Sequence, residues 1–179
     1  RREMESEKGW ENWYRHTGHD WGKVVLGSMT TEPFRKYNGE NLLAIAKAMN
    51  KDPWDTFFEI TKAGAFALPQ SMSEANKIQA MQQEFISFCT DVGPATGGTR
   101  IASHPRAYGS FPRILSRYVR DLGALSLEQA IAKMSAVAAN EVFAYDRGKI
   151  ALGLAADIVV FDFERITDKA TLANPRIPS

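Results

Sequence analysis

A carboxylate at the end of an apolar run is the first place in this chain where chemistry could sit. From Glu84 to Asp91 the sequence reads EFISFCTD, and Phe85 to Cys89 is almost continuously apolar. That pattern predicts a strand over Phe85–Thr90 covered on both faces, as in a parallel sheet. Its last residue, Asp91, would emerge beside Gly93, Pro94, Gly97 and Gly98, and barrel enzymes carry catalytic groups at strand C-termini in this way. A carboxylate so placed can accept a proton and return it to a leaving group. Taken alone, Asp91 before Val92-Gly93-Pro94 is also readable as a turn residue. The irregular stretch from Val92 to Gly109 predicts a binding loop.

Other residues offer less. His16 and His19 stand three apart in HTGHD, but Gly18 and polar neighbours indicate a loop rather than a metal site. Gly97-Gly98 lacks the Lys-Ser/Thr ending of a phosphate loop. Trp10, Trp13, Tyr14 and Trp21 could stack a ligand, although packing against helices is the commoner use of such rings.

The elements that would position Asp91 are mainly helical. Asn38 to Asn50 puts Leu42, Ile45, Ala46 and Met49 at helical spacing. Asp52 reads as an N-cap with Pro53 at the first helical position, Trp54, Phe57 and Phe58 on one face, and Gly64 as the stop. Ser73 can cap a helix carrying Ile78 and Met81. Ser110 and Pro112 are expected to open a helix with Leu115, Tyr118, Val119 and Leu122 on one face, stopped by Gly123. Ser126 with Gln129 forms a capping box, followed by a stripe of Leu127, Ile131, Met134 and Ala138. Strands are expected at Lys23–Met29, Phe85–Thr90, Lys149–Ala151 and Ala156–Asp162, the last two as a hairpin around Leu152-Gly153-Leu154. The class is therefore mixed α/β, with two architectures meeting near Asp146.

Composition narrows the function classes. The chain has 179 residues, 44% of them hydrophobic, enough for a sizeable core. Lys and Arg total 22 against 21 for Asp and Glu, so no net field favours nucleic acid or an anionic membrane. Arg100, Arg106, Arg113, Arg117 and Arg120 make one segment locally basic and able to greet a small anion. The single cysteine, Cys89, excludes an internal disulfide framework, is expected to be a small buried hydrophobe, and suits a reducing cytoplasm. No apolar stretch approaches the roughly 20 residues of a membrane span. The sequence opens on Arg1 without a methionine and closes on a linker-like NPRIPS, which leads us to expect a piece of a longer chain.

Several passages together resemble the N-acyl-D-amino-acid deacylases, or D-aminoacylases, of the zinc-dependent amidohydrolase superfamily. They are WENWYRHTGHDWGKVVLGSM from Trp10, NGENLLAIAKAMNKDPWDT from Asn38, Met72-Ser73-Glu74, the run ending at Asp91, HPRAYGSFPR from His104 continuing to Ala139, and GKIALGLAADIVVFD from Gly148. The last is shared across the superfamily; HPRAYGSFPR, placed shortly after the strand-end aspartate, is much more specific to the deacylase branch. The resemblance implies the C-terminal part of an amidohydrolase (β/α)8 barrel over residues 1–145, with Phe85–Thr90 as the eighth strand. Residues 146–179 would supply a closing hairpin belonging to a small β-sandwich and a tail. A whole barrel needs on the order of 250 residues, so most of the zinc ligands, a His-x-His, a bridging cysteine and further histidines, would lie outside this chain.

The family's eighth-strand aspartate carries over to Asp91, which the resemblance makes both a metal ligand and the general base and acid. His104, Arg106 and Tyr108 fall in the family's active-site loop and are implied to contact the N-acyl amino acid, where a guanidinium suits bidentate pairing with a carboxylate. A loop-stabilising role, with Arg106 on a nearby acid, is the competing reading. The family usually has Ser-Asp-Gly where this chain has Thr90-Asp91-Val92, which puts a side chain at the site's edge. The implied function is hydrolysis of N-acyl-D-amino acids to a D-amino acid and a carboxylate, with the isolated chain inactive. The alternatives are a cyclic-amide hydrolase of the dihydroorotase or hydantoinase kind, against which HPRAYGSFPR argues, and a non-catalytic assembly module that self-associates through exposed barrel edges.

Overall fold

The computed structural model describes residues 1–6, 8, 10–27, 29–65, 67–92 and 104–179. Gly93, Pro94, Gly97, Gly98 and Arg100, and with them most of the expected binding loop, lie outside the described residues. The chain forms two compact units, one of Arg1–Met72 with Thr171–Ile177 and His104-Pro105, the other built on residues 73–92 and Arg106–Ala170.

The first unit is built where local capping and aromatic burial agree. A short helix α1 (Trp13–His16) precedes strand β1 (Val24–Leu26), and helices α2 (Leu42–Met49) and α3 (Pro53–Lys62) follow. Asn41 caps α2 by accepting from the Ala44 amide at 2.9 Å, and Asp52 caps α3 by accepting from the Trp54 amide at 2.8 Å, each satisfying a donor the helix start leaves unpaired. Helix α2 begins later than Asn38. The Asn38 side chain is committed to Met29, accepting from its amide at 2.7 Å and donating to its carbonyl at 2.9 Å. Gly39 then turns at φ +85, where a Cβ would sit 2.9 Å from the Ala173 side chain.

Strand β1 is shorter than the expected Lys23–Met29. It pairs antiparallel with β2 (Ala67–Pro69), Val25 opposite Leu68, a strand the sequence had not signalled. Around this pair Tyr14, Trp21, Val24, Leu26, Phe34, Leu42, Ile45, Trp54 and Ile60 form one core. Tyr14 stacks on Trp21 with ring centroids 4.2 Å apart, and Trp54 stands edge-on to Trp21 at 4.8 Å, geometries that aromatic quadrupoles favour.

The second unit is helical. Ser73 caps α4 (Glu74–Met81) by accepting from the Asn76 amide at 3.2 Å. Helix α5 (Arg106–Arg113) starts ahead of Ser110, whose hydroxyl instead donates to the Arg106 carbonyl at 2.8 Å. Pro112 therefore falls inside α5, and lacking an N–H it cannot donate to the carbonyl of Tyr108. Beyond it the backbone runs as a π-helix, Ile114–Asp121, in which the Leu122 amide donates to the Arg117 carbonyl five residues back at 2.9 Å.

Ser126 and Gln129 make the expected reciprocal capping box on α6 (Leu127–Met134), at 2.9 and 3.2 Å. The buried face of α6 is turned from the expected stripe. Ala130 and Lys133 are buried and Ile131 is exposed. The helix also breaks at Ser135, so Ala138 belongs to a separate α7 (Ala136–Glu141). Ile114, Leu115, Tyr118, Val119, Leu125 and Ala130 form the core of this unit.

Two expectations are overturned here. Phe85–Thr90 is irregular, not a buried strand, with Phe85 78% exposed. Residues 148–163 form no hairpin, and Val160 is 92% exposed. Both runs carry strand-type sequence, but a strand exists only as one half of a ladder, and among the described residues the sheet consists of β1 and β2 alone.

Ile45, fully buried in α2, provides a check on the first core. Ile45→Ala should cost about 3 kcal/mol, read as a lower denaturant midpoint, whereas Leu43→Ala, on the exposed side of the same helix, should stay within about 0.5 kcal/mol of the parent.

Candidate functional site

Asp91 ends the segment that follows α4, and its backbone adopts the left-handed conformation with φ +50, a region open at low cost to Asp and Asn among residues with a side chain. Its amide donates to Sγ of Cys89 at 3.2 Å. This conformation turns the carboxylate into solvent, with 83% of the side chain exposed. Arg106, the first residue of α5, meets it. Its Nη2 lies 3.0 Å from Oδ2 of Asp91 and donates to the Asp91 backbone carbonyl at 2.8 Å. One guanidinium nitrogen thus holds both the acid and the peptide beside it.

Of the residues singled out from sequence, the structure brings together Asp91 and Arg106. Tyr108 sits on α5 with its ring partly exposed, and its backbone carbonyl, deprived of a helical donor by Pro112, accepts from the Ser179 hydroxyl at 3.4 Å. His104 is half-buried and belongs to the other compact unit. Cys89 is exposed rather than a buried hydrophobe, because the strand that would have covered it does not form.

The described arginines of the basic segment have protein partners. Arg113 pairs with Asp168 at 2.8 Å, Arg117 with Glu74 at 3.1 Å, and Arg120 with Asp121 at 3.1 Å. Arg120 also donates through Nη1 to the carbonyls of Phe163 at 3.0 Å, Ile166 at 2.8 Å and Glu164 at 3.3 Å. Neither its position nor its residue type distinguished Arg120 in the sequence as a clamp on backbone. Glu74, bonded first by Lys77 and then by Arg117 and Tyr118, has its carboxyl lowered from 4.5 to about 2.

His16 stands edge-on to Trp13 at 5.6 Å between centroids and 4.0 Å from Glu11, and His19 packs on Tyr14. Tyr14 and Trp21 are core residues; Trp10 and Trp13 are exposed. Among the described residues no group of three or more His, Cys, Asp or Glu side chains is arranged to hold a metal ion. Asp91 by itself offers one carboxylate against the four ligands zinc ordinarily takes, so these residues alone do not fit a zinc site. No helix among them is long and apolar enough to cross a membrane.

Comparison with known proteins gives this geometry a setting. The Amidohydrolase family matches residues 63–178. N-acyl-D-glutamate deacylase of Alcaligenes xylosoxydans xylosoxydans is 36% identical over 147 residues, covering 82% of this chain and 29% of that protein. D-aminoacylase of the same organism is 33% identical over 157 residues, covering 86% of this chain and 31% of that one. Among solved structures, the N-acyl-D-glutamate deacylase of Bordetella bronchiseptica, crystallised with zinc and a phosphonate that mimics the tetrahedral intermediate, superposes with a TM-score of 0.73 at 31% identity over 89% of this chain and 32% of its own. The chain thus spans about 30% of the length of these relatives.

The Glu74 cluster carries a pH dependence whose sign follows from linkage. A carboxyl whose folded pKa is depressed contributes stability above its unfolded pKa and loses it as pH falls. The contribution of Glu74 should therefore be present above about 4.5 and fade toward pH 2. Denaturant midpoints measured across that interval should fall less steeply in Glu74→Gln than in the parent.

Proposed function

Because the chain belongs to the amidohydrolase family, we propose that it is the C-terminal part of a zinc-dependent deacylase that hydrolyses the amide of N-acyl-D-amino acids to a D-amino acid and a carboxylate. The observation that carries this reading is Asp91, a carboxylate turned into solvent by a left-handed backbone and held by Arg106, in a chain 36% identical to an N-acyl-D-glutamate deacylase. In this reading residues 1–145 complete a (β/α)8 barrel begun by preceding sequence. Residues 146–179 complete a small β-sandwich, their exposed strand-type runs pairing with strands that this chain does not contain.

Asp91 is the general base and acid. It accepts the proton of the attacking water as the carbon–oxygen bond forms, then delivers it to the nitrogen as the amide bond breaks. As a zinc ligand it would add one oxygen, the remaining ligands coming from outside these residues. Arg106 suits the α-carboxylate of the substrate, since a guanidinium fork matches a carboxylate in two bonds; His104 and Tyr108 are the further substrate contacts. Val92, in place of the glycine usual in the family, narrows the edge of the site and tunes which amino acid enters. A reducing cytoplasm suits the one exposed free thiol, and the isolated chain would self-associate through its exposed apolar runs.

Two experiments test this. In a longer, zinc-loaded protein containing these residues, N-acyl-D-amino acids should be hydrolysed and their L-counterparts left, and Asp91→Asn should lower kcat by about 100- to 10,000-fold; an unchanged kcat would remove Asp91 from the mechanism. The 179-residue chain by itself should neither bind zinc stoichiometrically in a metal titration nor turn over substrate.

A further inference from the structure

We propose that Lys133 is a positioning residue for Asp91: its buried ammonium and its own backbone carbonyl clamp the turn between Gln83 and Phe88, and thereby fix the segment whose end carries the carboxylate. Lys133 lies in the last turn of α6 and is 6% exposed, an unusual location for a lysine. No carboxylate among the described residues lies within ion-pairing distance of it. Its Nζ donates instead to the backbone carbonyls of Gln83 and of Ile86, the latter at 2.9 Å. In the opposite direction, the Phe88 amide donates to the Lys133 carbonyl at 3.4 Å.

Burying an ammonium without an anion is costly unless strong acceptors replace water. The carbonyl of Gln83, which also accepts the Ile86 amide at 3.3 Å, and the carbonyl of Ile86 are such acceptors, and charge-assisted bonds to them are stronger than neutral ones. The arrangement does more than finish α4. It grips the chain on both sides of Glu84-Phe85, and Phe88 packs its ring against the core of this unit, so that Gln83, Ile86 and Phe88 are all held to α6 or to that core. Cys89, Thr90 and Asp91 extend directly from this anchor, and Arg106 holds Asp91 at the far end. The segment is thus held at its start by Lys133 and Phe88 and at its end by Arg106.

The test uses the 179-residue chain, whose only cysteine lies within the segment at issue. A nitroxide on Cys89 reports its motion, and amide exchange at Phe88 reports the bond to Lys133. Lys133→Met, which keeps the stem and removes the donors, should make the label about twofold more mobile and speed Phe88 exchange about tenfold, the change expected for the net contribution of one backbone hydrogen bond. Lys133→Arg should restore both. Ser73→Ala, which weakens α4 at its other end, should leave both unchanged. If Lys133→Met fails to fold, Lys133→Gln, which retains a shorter donor, should give intermediate mobility. Label motion and exchange indifferent to position 133, or equally disturbed by Ser73→Ala, would overturn the clamp.

The catalytic consequence rests on the reading of Asp91 given above and is measured separately. In the longer zinc-loaded protein Lys133→Met should depress kcat with little change in KM, with recovery in Lys133→Arg. A mobile label with unaltered kcat would overturn the positioning role, whereas a parent protein without deacylase activity would overturn the function and leave the clamp to the label and exchange data.

Discussion

Backbone carbonyls that no ladder satisfies must find other donors, and in the second unit long basic side chains provide them. Lys133 donates to Gln83 and Ile86; Arg120 donates to Phe163, Glu164 and Ile166. Each reaches across more than forty positions of sequence, from α6 or the π-helix to an irregular segment. The two segments held in this way are the ones that border the strand-type runs, Phe85–Thr90 and residues 156–162. Cationic side chains thus do in this unit what strand pairing does in a sheet, and the helices they spring from are ordered in turn by capping and by a shared apolar core.

This substitution explains which parts of the fold were legible in the sequence. Helix starts were, because a cap is a local event: Asp52, Ser73 and Ser126 each accept from an amide two or three residues ahead, and nothing distant can cancel that. Stops at Gly64 and Gly123, both at positive φ, were legible for the same reason. The start of α5 was not, since Ser110 had an equally local alternative in bonding back to the Arg106 carbonyl, and Pro112 is tolerated inside the helix by a change to π register. Strands were least legible. Phe85–Thr90 has the composition of a buried strand and no strand partner among the described residues, whereas Ala67–Pro69 has weak composition and a partner in β1.

The candidate site divides along the same line. Asp91 was visible from its place after an apolar run, and its solvent-facing carboxylate comes from a positive φ that the Asp-Val pair did not announce. The pairing of Arg106 with Asp91 was foreseeable only as one of two uses for that arginine. Lys133 was invisible: in the helical reading of α6 it falls outside the expected stripe of Leu127, Ile131 and Met134, and a lysine there reads as solvated. Its burial goes with that of Ala130 on the same helix, which packs in one core with Tyr118 and Val119 of the π-helix.

The strength of the Asp91–Arg106 contact bears on what the site can do. The Asp91 side chain is 83% exposed and that of Arg106 42%, and exposed ion pairs contribute only about 0.2–1 kcal/mol, so the ionic contact itself adds little. A carboxylate locked in a dry, multiply bonded pair would be a poor proton acceptor, since removing its partner would strand a buried charge. Here solvent screens the ionic contact, so the Asp91 carboxylate is not stranded as a buried charge when that contact breaks. The second bond, from Arg106 to the Asp91 backbone carbonyl, is independent of the carboxylate and keeps the arginine near while its ionic partner changes. In the proposed deacylase, that combination, a weak ionic contact beside a neutral tether, would suit an arginine that holds Asp91 in the resting chain and turns to a substrate carboxylate when one arrives.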